Sequence, residues 1–413
     1  MASSYDTVLQ AFQIQADPQS TTQQIKEVMG WLEKFQGTTE AWQVADQLLA
    51  APKEEVGVGA HTFAAQTMRS KIQYDWAELP VTAHESLRSS LLNHVLRFGQ
   101  GPVLTQLCLA VGVLVLHMQS WNTAVSDLIT SLTQPAEQAT AKLPCLLEML
   151  TVLPEEAENY KVGVLPAQRE AYRQVLRSAG PQVLTLLSHV CQQCRANEAL
   201  MQAMLRCTCS WVRLSYLPSD DFAASPMLEF AFHALGLEDP ELFDEAADLV
   251  VEAITFSQDH ARHQALISNI VTRVLQLQPQ YDKALADDDE EKARALCRIF
   301  AEMGENYLQL ILQHAEQWAL PVASAVLRGA AHPEPEVAEI TFNFWYVLSN
   351  ELGASGRSLN DAQKEGCRRL FAPIFLQLID ALRRLAEFPP DSDSWSADRS
   401  DDFKSFRSAP HQP

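Results

Sequence analysis

The most constraining feature of this chain is a helical spacing of apolar residues that recurs along nearly its whole length. Val28, Trp31, Leu32 and Phe35, for example, follow i, i+3, i+4, i+7. This spacing places the apolar side chains on one face of an α-helix. The alternation typical of strands is hard to find, and the Asn-Gly and Asp-Gly dipeptides of tight hairpins are absent. The sequence therefore predicts an all-α protein.

Short breaks separate the helical segments, for example at Pro52, Pro154 and Gly180-Pro181. Proline ends a helix or sits in its first turn, so these breaks indicate a regular succession of helices. HEAT-type repeats are helix pairs of about 40–47 residues, and a chain of 413 residues holds about nine of them. We predict a right-handed α-solenoid of HEAT-type helix pairs, with a compact helical bundle as the alternative. Solenoids present long concave surfaces that suit protein binding.

Composition and charge limit the classes of partner. Hydrophobic residues make up 47% of the chain, which favours a continuous core over disorder. The net charge is −21, which argues against direct nucleic-acid binding because phosphate recognition needs a basic surface. An acidic surface attracts basic proteins, although it also serves solubility alone.

The sequence predicts neither a secretory signal nor membrane insertion. Residues 1–15 lack a basic segment followed by an apolar core. The most apolar stretch, Val103 to Met118, is shorter than the ~20 residues of a spanning helix and is predicted to be a buried helix. Without a signal, the eight cysteines indicate reduced thiols in the cytosol or nucleus.

Motifs of the common enzyme classes are missing, and we expect a non-enzymatic protein. GxxxxGK[ST], GxGxxG, HExxH and GxSxG do not occur. Cys191, Cys194, Cys207 and Cys209, with His189 nearby, have enough thiolates for a tetrahedral zinc site. They occupy apolar helix positions, however, where cysteine acts as a small buried hydrophobe. We therefore expect no metal and no cofactor.

Two other pairs of polar residues invite a chemical interpretation. His260 and His263 are spaced to chelate a metal, but an exposed polar helix face explains them as well. Glu155 and Glu156 follow Pro154 and are interpreted as acids in the first turn of a helix, not as a general acid/base pair.

Three further features have structural explanations. Trp345 is predicted to pack between helices, with an aromatic binding pocket as the alternative. The acidic run Asp287–Glu291 is either a solvated loop or the cap of the following helix. From Pro389 the composition shifts to Ser, Asp, Arg and Pro, and residues 389–413 are predicted to be a disordered tail.

A short motif resembles the N-terminal signature of the importin-β superfamily, A-A-x-x-L-K-N-x-I-x-x-x-W. The chain reads Phe63-Ala64-Ala65-Gln66-Thr67-Met68-Arg69-Ser70-Lys71-Ile72, followed by Trp76. Met68, Arg69 and Ser70 replace the Leu, Lys and Asn of the signature. We expect Ala64, Ala65, Met68, Ile72 and Trp76 to pack between helices.

Further stretches are similar to the transportin-3 group of this superfamily, with the importin-13 group next. The matching stretches include Ala41-Trp42, Leu146–Glu156, Cys297–Phe300, His332-Pro333 and Phe342–Tyr346. They run in order from about residue 25 to Phe406. The resemblance implies importin N-terminal-like HEAT repeats at 1–98, exportin-1/importin-β-like repeats at 99–250 and further HEAT repeats at 251–388.

The resemblance also implies a function. Such karyopherins shuttle between cytoplasm and nucleus, bind Ran in its GTP form and contact Phe-Gly nucleoporins. The transportin-3 group imports serine/arginine-rich splicing factors. The implied Ran contacts in this chain are Gln66, Arg69 and Lys71 on the second helix of an early repeat, and Arg88. A HEAT scaffold or regulatory subunit without a transport cycle is the alternative, and a helical zinc enzyme is a third class.

One departure from the group concerns length. Its members are longer than 413 residues, so the chain is expected to be a C-terminally truncated form. The arginine-rich helix with which the group holds its cargo has no counterpart, since Arg368-Arg369 and Arg383-Arg384 are isolated pairs. Cargo binding is therefore the least expected of the functions, and an exposed apolar face is expected between Leu370 and Leu385.

Overall fold

The structure, a computed structural model, describes residues 3–134, 136–193, 197–354, 356–388, 392 and 396–408. Within these ranges the chain forms helices and turns and no β-strand. The prediction of an all-α protein is confirmed. Residue contacts divide the chain into two compact units, Met1–Leu217 and Pro218–Pro413.

Ten α-helices make up the described part of the first unit. They are α1 Ser4–Ala16, α2 Thr22–Gln36, α3 Glu40–Ala50, α4 Lys53–Tyr74, α5 His84–Phe98, α6 Pro102–His117, α7 Ala124–Thr133, α8 Ala136–Ala157, α9 Pro166–Gln193 and α10 Glu198–Arg213. Two short 3₁₀ helices, Trp76–Glu78 and Val81–Ala83, connect α4 to α5.

Helices of the first unit pack as successive pairs, α3 with α4, α5 with α6, α7 with α8 and α9 with α10. The second helices of these pairs also pack on each other in chain order, so that α4, α6, α8 and α10 form one layer. We call it the second-helix layer. Many of its buried side chains are apolar, and Leu107, Leu146 and Leu205 are completely buried. Trp211 of α10 donates a hydrogen bond of 2.8 Å to the carbonyl oxygen of Leu150 on α8.

The second unit has the same kind of construction. Its described helices are α11 Ser219–Ala223, α12 Pro226–Ala234, α13 Pro240–Phe256, α14 Gln264–Leu275, α15 Gln278–Ala286, α16 Glu290–Asn306, α17 Leu308–Gln313, α18 Leu320–Ala330, α19 Pro335–Glu339, α20 Phe342–Leu352, α21 Asp361–Ala386 and α22 Ala397–Ser408. A π-helical turn, Ala315–Ala319, leads into α18.

In this unit α13, α16, α18 and α21 pack in chain order, and α12, α15 and α20 pair with members of that layer. Helices α13, α16 and α18 bury their apolar residues against helices that are close to them in the chain. This is the packing of a repeat solenoid and not of a bundle around one core. The predicted α-solenoid of helix pairs is thus confirmed.

Two of the predicted breaks are wrong. Pro154 lies inside α8, and Pro181 lies inside α9. Proline in a helix interior removes one backbone hydrogen bond and costs about 3 kcal/mol in isolation. Here both helices are held on either side of the proline by buried residues such as Leu153 and Leu184. Tertiary packing therefore overrides the local preference.

The segment predicted to be a disordered tail includes a helix, α22, within residues 397–408. Composition failed here because one aromatic contact anchors the segment: the ring centroids of Phe403 and Phe388 lie 5.0 Å apart. The other residues predicted as tail, apart from 392 and 396, lie outside the described residues.

The apolar stretch that begins at Val103 forms α6, which is almost entirely buried, as predicted. No helix among the described residues combines the length and apolar character needed to cross a membrane.

Candidate functional site

The motif shared with the importin-β signature lies on α4, in the second-helix layer. Its apolar members Ala64, Ala65, Met68 and Ile72 are buried, as expected for packing residues. Small side chains at 64 and 65 let α4 approach its neighbours closely. Gln66 lies on the opposite, exposed face of the helix. The packing residues of the motif therefore set which face of α4 is buried in the layer.

Arg69 joins α4 to α8 across the second-helix layer. Its Nη2 lies 3.5 Å from Oε1 of Glu156, whose carboxylate is almost completely buried. Asn159 completes the arrangement by donating a 2.7 Å hydrogen bond to the other carboxylate oxygen. Burial raises the pKa of Glu156, while Asn159, Arg69 and Arg169 act in the opposite direction. Arg69 is thus a partly exposed cation with one buried anionic partner.

A glycine makes room for this carboxylate. A Cβ atom at Gly112 of α6 would lie 2.9 Å from Cγ and 3.2 Å from Cβ of Glu156. Only glycine lets the Glu156 side chain pass over α6 at this distance. Glu156 lies 87 residues from Arg69, so no local pattern connects the two. Sequence reasoning missed the pair, and placed Glu155 and Glu156 in a first helical turn when they end α8.

Lys71, the third implied Ran contact, is only 1% exposed. Its Nζ lies 2.7 Å from both Asp75 and Glu78 and 5.7 Å from the centre of the Trp42 ring. Trp42 also donates a 3.1 Å hydrogen bond to Glu78. The Lys71 ammonium is therefore already paired with two carboxylates of the same chain. These ion pairs connect the end of α4 to the 3₁₀ helix that follows it. A direct contact with a partner at Lys71 does not agree with this burial.

Arg88, the fourth implied contact, lies on α5, the first helix of its pair. Its guanidinium lies 5.0 Å from the centre of the Trp121 ring, and Nη2 is 2.7 Å from Glu85. Arg88 is consequently outside the second-helix layer that carries Gln66 and Arg69. The four implied contacts do not form one surface.

Trp76, the last residue of the motif, packs as expected, but against two histidines. Its ring lies 4.1 Å from that of His84 and 5.1 Å from that of His117, between ring centroids. Burial lowers the pKa of His117 to about 4, and the nearby His84 acts in the same direction. The imidazole of His117 thus packs as a neutral group between consecutive helix pairs.

The zinc alternative finds little support at the positions that are described. Cys207 is completely buried, and burial raises the pKa of its thiol to about 12. Cys194 lies outside the described residues. In the rest of the chain, as far as it is described, no three His, Cys, Asp or Glu side chains converge as metal ligands. Zinc needs deprotonated thiolates, which a buried apolar site disfavours.

His260 and His263 lie in the turn between α13 and α14, not on a helix face as the sequence suggested. His260 Nε2 is 3.2 Å from the carbonyl oxygen of Asn306, and the His263 ring packs 4.8 Å from that of Phe256. The two rings are held by different neighbours.

Two remaining features take structural roles. Trp345 is buried on α20, with its ring 6.0 Å from that of Phe375 on α21, as the helix-packing interpretation predicts. In the acidic run, Asp289 caps α16 by accepting a 3.2 Å hydrogen bond from the backbone of Lys292. Glu290 and Glu291 occupy the first turn, where the helix dipole favours acids.

Comparison with known families agrees with this arrangement. The importin-beta N-terminal domain model matches residues 28–97, which contain the α4 motif. The exportin 1-like protein model matches residues 100–250, and the transportin-3/importin-13 second TPR domain model matches residues 288–384. The chain belongs to the importin-β superfamily of karyopherins.

The similarity to related proteins extends over nearly all of this chain. Transportin MOS14 of Arabidopsis thaliana is 33% identical over 394 residues, covering 92% of this chain and 40% of that protein. Importin-13 of Homo sapiens is 31% identical over 395 residues, covering 91% of this chain and 39% of that protein. The karyopherin chain thus spans about two fifths of the length of these relatives. Their names are those of transport receptors, not of enzymes.

The fold of a solved relative agrees as well. The structure described as importin-13 in its cytosolic state superimposes with a TM-score of 0.63 at 19% identity. The superposition covers 84% of this chain and 40% of the importin-13 chain. At this identity the likeness bears on the fold alone.

Proposed function

We propose that this karyopherin acts as a nuclear import receptor of the transportin-3/importin-13 branch and shuttles between cytoplasm and nucleus. The observation that carries the proposal is the importin-beta N-terminal match at 28–97, whose polar positions Gln66 and Arg69 share the exposed side of the second-helix layer. Binding of GTP-bound Ran at this layer is the central step.

The retained contacts are Gln66 and Arg69. Gln66 offers an amide that can both donate and accept. Arg69 is partly exposed and offers Nη1, because Nη2 lies beside Glu156 and Nε is buried. Lys71 does not contact the partner in this proposal. Its ion pair with Glu78 holds the end of α4 in place and so positions Gln66 and Arg69. Arg88 is the control residue, because it lies on α5, the first helix of its pair, and not on the second-helix layer.

Cargo and nucleoporin binding are separate parts of the proposal. Serine/arginine-rich splicing factors are the cargo expected for the branch, and Phe-Gly nucleoporins the expected pore contacts. The described arginine pairs carry local partners: Arg369 is 3.0 Å from Glu365, and Arg384 is 2.7 Å from Asp380. These neutralised pairs favour a cargo site elsewhere than on α21.

A pull-down of the full chain with Ran loaded with a non-hydrolysable GTP analogue, or with GDP, tests the proposal. We expect selective retention of the GTP form. Gln66→Arg should weaken that retention at least five-fold, because a larger cation replaces an exposed amide in the contact. Arg88→Ala should retain it, because Arg88 lies outside the layer.

Equal binding of both nucleotide states, or no binding, would contradict the proposal. It would also favour the second candidate function, a HEAT scaffold without a transport cycle. The extended layer of paired helices suits that role equally, since it exposes a long surface for any protein partner. Nucleotide selectivity is what separates the two functions.

A further inference from the structure

The Glu156 carboxylate reaches Arg69 from a helix that is not the neighbour of α4 in the second-helix layer. Glu156 lies at the end of α8, and α6 packs on both α4 and α8. At Gly112 of α6 a Cβ atom would lie 2.9 Å from Cγ of Glu156. The glycine therefore lets a residue of α8 pass over α6 and lie 3.5 Å from Nη2 of Arg69.

The carboxylate of Glu156 is restrained from its other side. Its second oxygen accepts a 2.7 Å hydrogen bond from Asn159, in the turn after α8. Buried Arg169 of α9 holds that turn by donating hydrogen bonds of 2.6, 3.0 and 3.0 Å to three of its carbonyl oxygens. The Glu156 side chain is 4% exposed and that of Arg69 is 30% exposed. Arg69 is consequently the member of the pair with room to move.

The buried charge keeps Arg69 in place. Burial raises the pKa of Glu156, and Asn159, Arg69 and Arg169 oppose that rise. Removing Arg69 from this carboxylate would leave a buried charge without its ion pair, which is strongly unfavourable. Nη2 of Arg69 therefore stays beside Glu156. Because Nε is also buried, Nη1 is the nitrogen that Arg69 can offer to a partner.

We propose that Glu156 is the positioning residue for Arg69, and that it holds the guanidinium at the surface of the second-helix layer to receive an acidic group of the partner. This inference rests on the proposed function, in which that partner is GTP-bound Ran. Glu156 is buried and acts through Arg69. An arginine that is already ordered loses less conformational freedom on binding than an unrestrained one, so the pair strengthens the complex without a contact of its own.

The first test is Glu156→Gln, which removes the charge and keeps the size of the side chain. Biolayer interferometry measures binding of the full chain to Ran loaded with a non-hydrolysable GTP analogue. We expect Glu156→Gln to weaken this binding about three- to ten-fold, which corresponds to the ordering of one long side chain. Glu137→Gln removes one charge at an exposed position near the start of the same helix, and should leave the affinity unchanged.

The same change in a chain that carries Arg69→Ala separates positioning from a general structural role. Arg69→Ala alone should weaken binding. Since Glu156 acts through Arg69, adding Glu156→Gln to Arg69→Ala should cause no further loss. Gly112→Ala, which displaces the Glu156 side chain, should likewise weaken binding only when Arg69 is present. Helical circular dichroism should be the same for all of these chains.

Three results would overturn the inference alone: equal losses from Glu156→Gln with and without Arg69, unchanged or tighter binding of the Glu156→Gln chain, or full affinity of the Arg69→Ala chain. Each requires that the wild-type chain binds GTP-bound Ran selectively, so the proposed function survives them. A wild-type chain without that selectivity contradicts the proposed function, and the inference falls with it.

Discussion

At the scale of single residues, the buried ion pair of Lys71 shows how the motif on α4 serves the fold. A buried ammonium is tolerated only when its charge is paired, and Asp75 and Glu78 supply two carboxylates at 2.7 Å. The Lys71 hydrogen bond, followed by that of Trp42, lowers the pKa of Glu78. The contribution of this carboxylate is therefore present above its ordinary pKa and is lost as the pH falls through the lowered value.

Replacement of Lys71 should destabilise the first unit. Lys71→Ala removes both ion pairs and leaves a cavity beside Trp42, which we expect to lower the free energy of unfolding by about 3 kcal/mol. Hydrogen–deuterium exchange should rise in residues 40–78 and stay unchanged in the second unit. Lys26→Ala on exposed α2 is the matched control, and an equally small effect of both changes would contradict a structural role for Lys71.

Glu305 is a second residue whose charge is shaped by packing. It lies on α16, accepts a hydrogen bond from Asn343 of α20 and has Glu302 nearby. Burial raises the pKa of Glu305 to about 7, opposed by the Asn343 hydrogen bond and reinforced by Glu302. Because the native chain binds this proton more tightly than the unfolded chain, the contribution of Glu305 to stability is fully present below its ordinary pKa of 4.5 and is lost as the pH rises through about 7.

Removing this charge should stabilise the second unit at alkaline pH. Glu305→Gln keeps an acceptor for Asn343 without the desolvated charge, and we expect a gain of about 1–3 kcal/mol at about pH 8 and little gain at about pH 4.5. Melting temperatures across this pH range measure the effect. Glu316→Gln, at an exposed position, should give no such trend, and a pH-independent gain for Glu305→Gln would refute the explanation.

At the scale of elements, glycines set how closely the helices of the second unit approach. A Cβ atom at Gly329 of α18 would lie 2.3 Å from Sγ of Cys297 on α16 and 2.9 Å from Cγ2 of Thr341. At Gly304 of α16 it would lie 2.6 Å from the Phe344 ring. These contacts require glycine, although glycine lowers helix propensity.

Gly329→Ala should therefore destabilise the α16–α18 contact by about 1–3 kcal/mol, because the new methyl group has no room to relax. The matched change Gly30→Ala on α2, where nothing lies within 4 Å of the added Cβ, should stabilise by about 0.5–1 kcal/mol. Urea unfolding followed by circular dichroism compares the two. A gain in stability for Gly329→Ala would show that the helices are not packed as described.

At the scale of the whole molecule, the exposed face of α21 bears on self-association. The sequence predicted an exposed apolar face between Leu370 and Leu385, and Leu376 and Ile379 occupy it. We expect the purified chain to self-associate in a concentration-dependent way. Replacing both residues with lysine should shift sedimentation velocity profiles towards the monomer, whereas lysine at Gln23 and Gln24 on exposed α2 should not.

Much of this architecture could be predicted from the sequence. Apolar spacing determines helix type locally, because only one face of each helix can be buried, and it placed α6 and the packing residues of α4 correctly. The family motif, likewise local, indicated the superfamily. Where helices continue through Pro154 and Pro181 the local signal was wrong, because packing energy from distant residues outweighs the proline penalty.

The sequence by itself determined that this protein is a solenoid of amphipathic helix pairs with a karyopherin motif on α4. Only the tertiary structure decided which polar residues of that motif face solvent. Lys71 is buried because Trp42, Asp75 and Glu78 surround it, while Arg69 reaches a carboxylate 87 residues away. Helical periodicity fixes the face of a helix to which a residue belongs, but the neighbours that cover or pair that face come from other repeats.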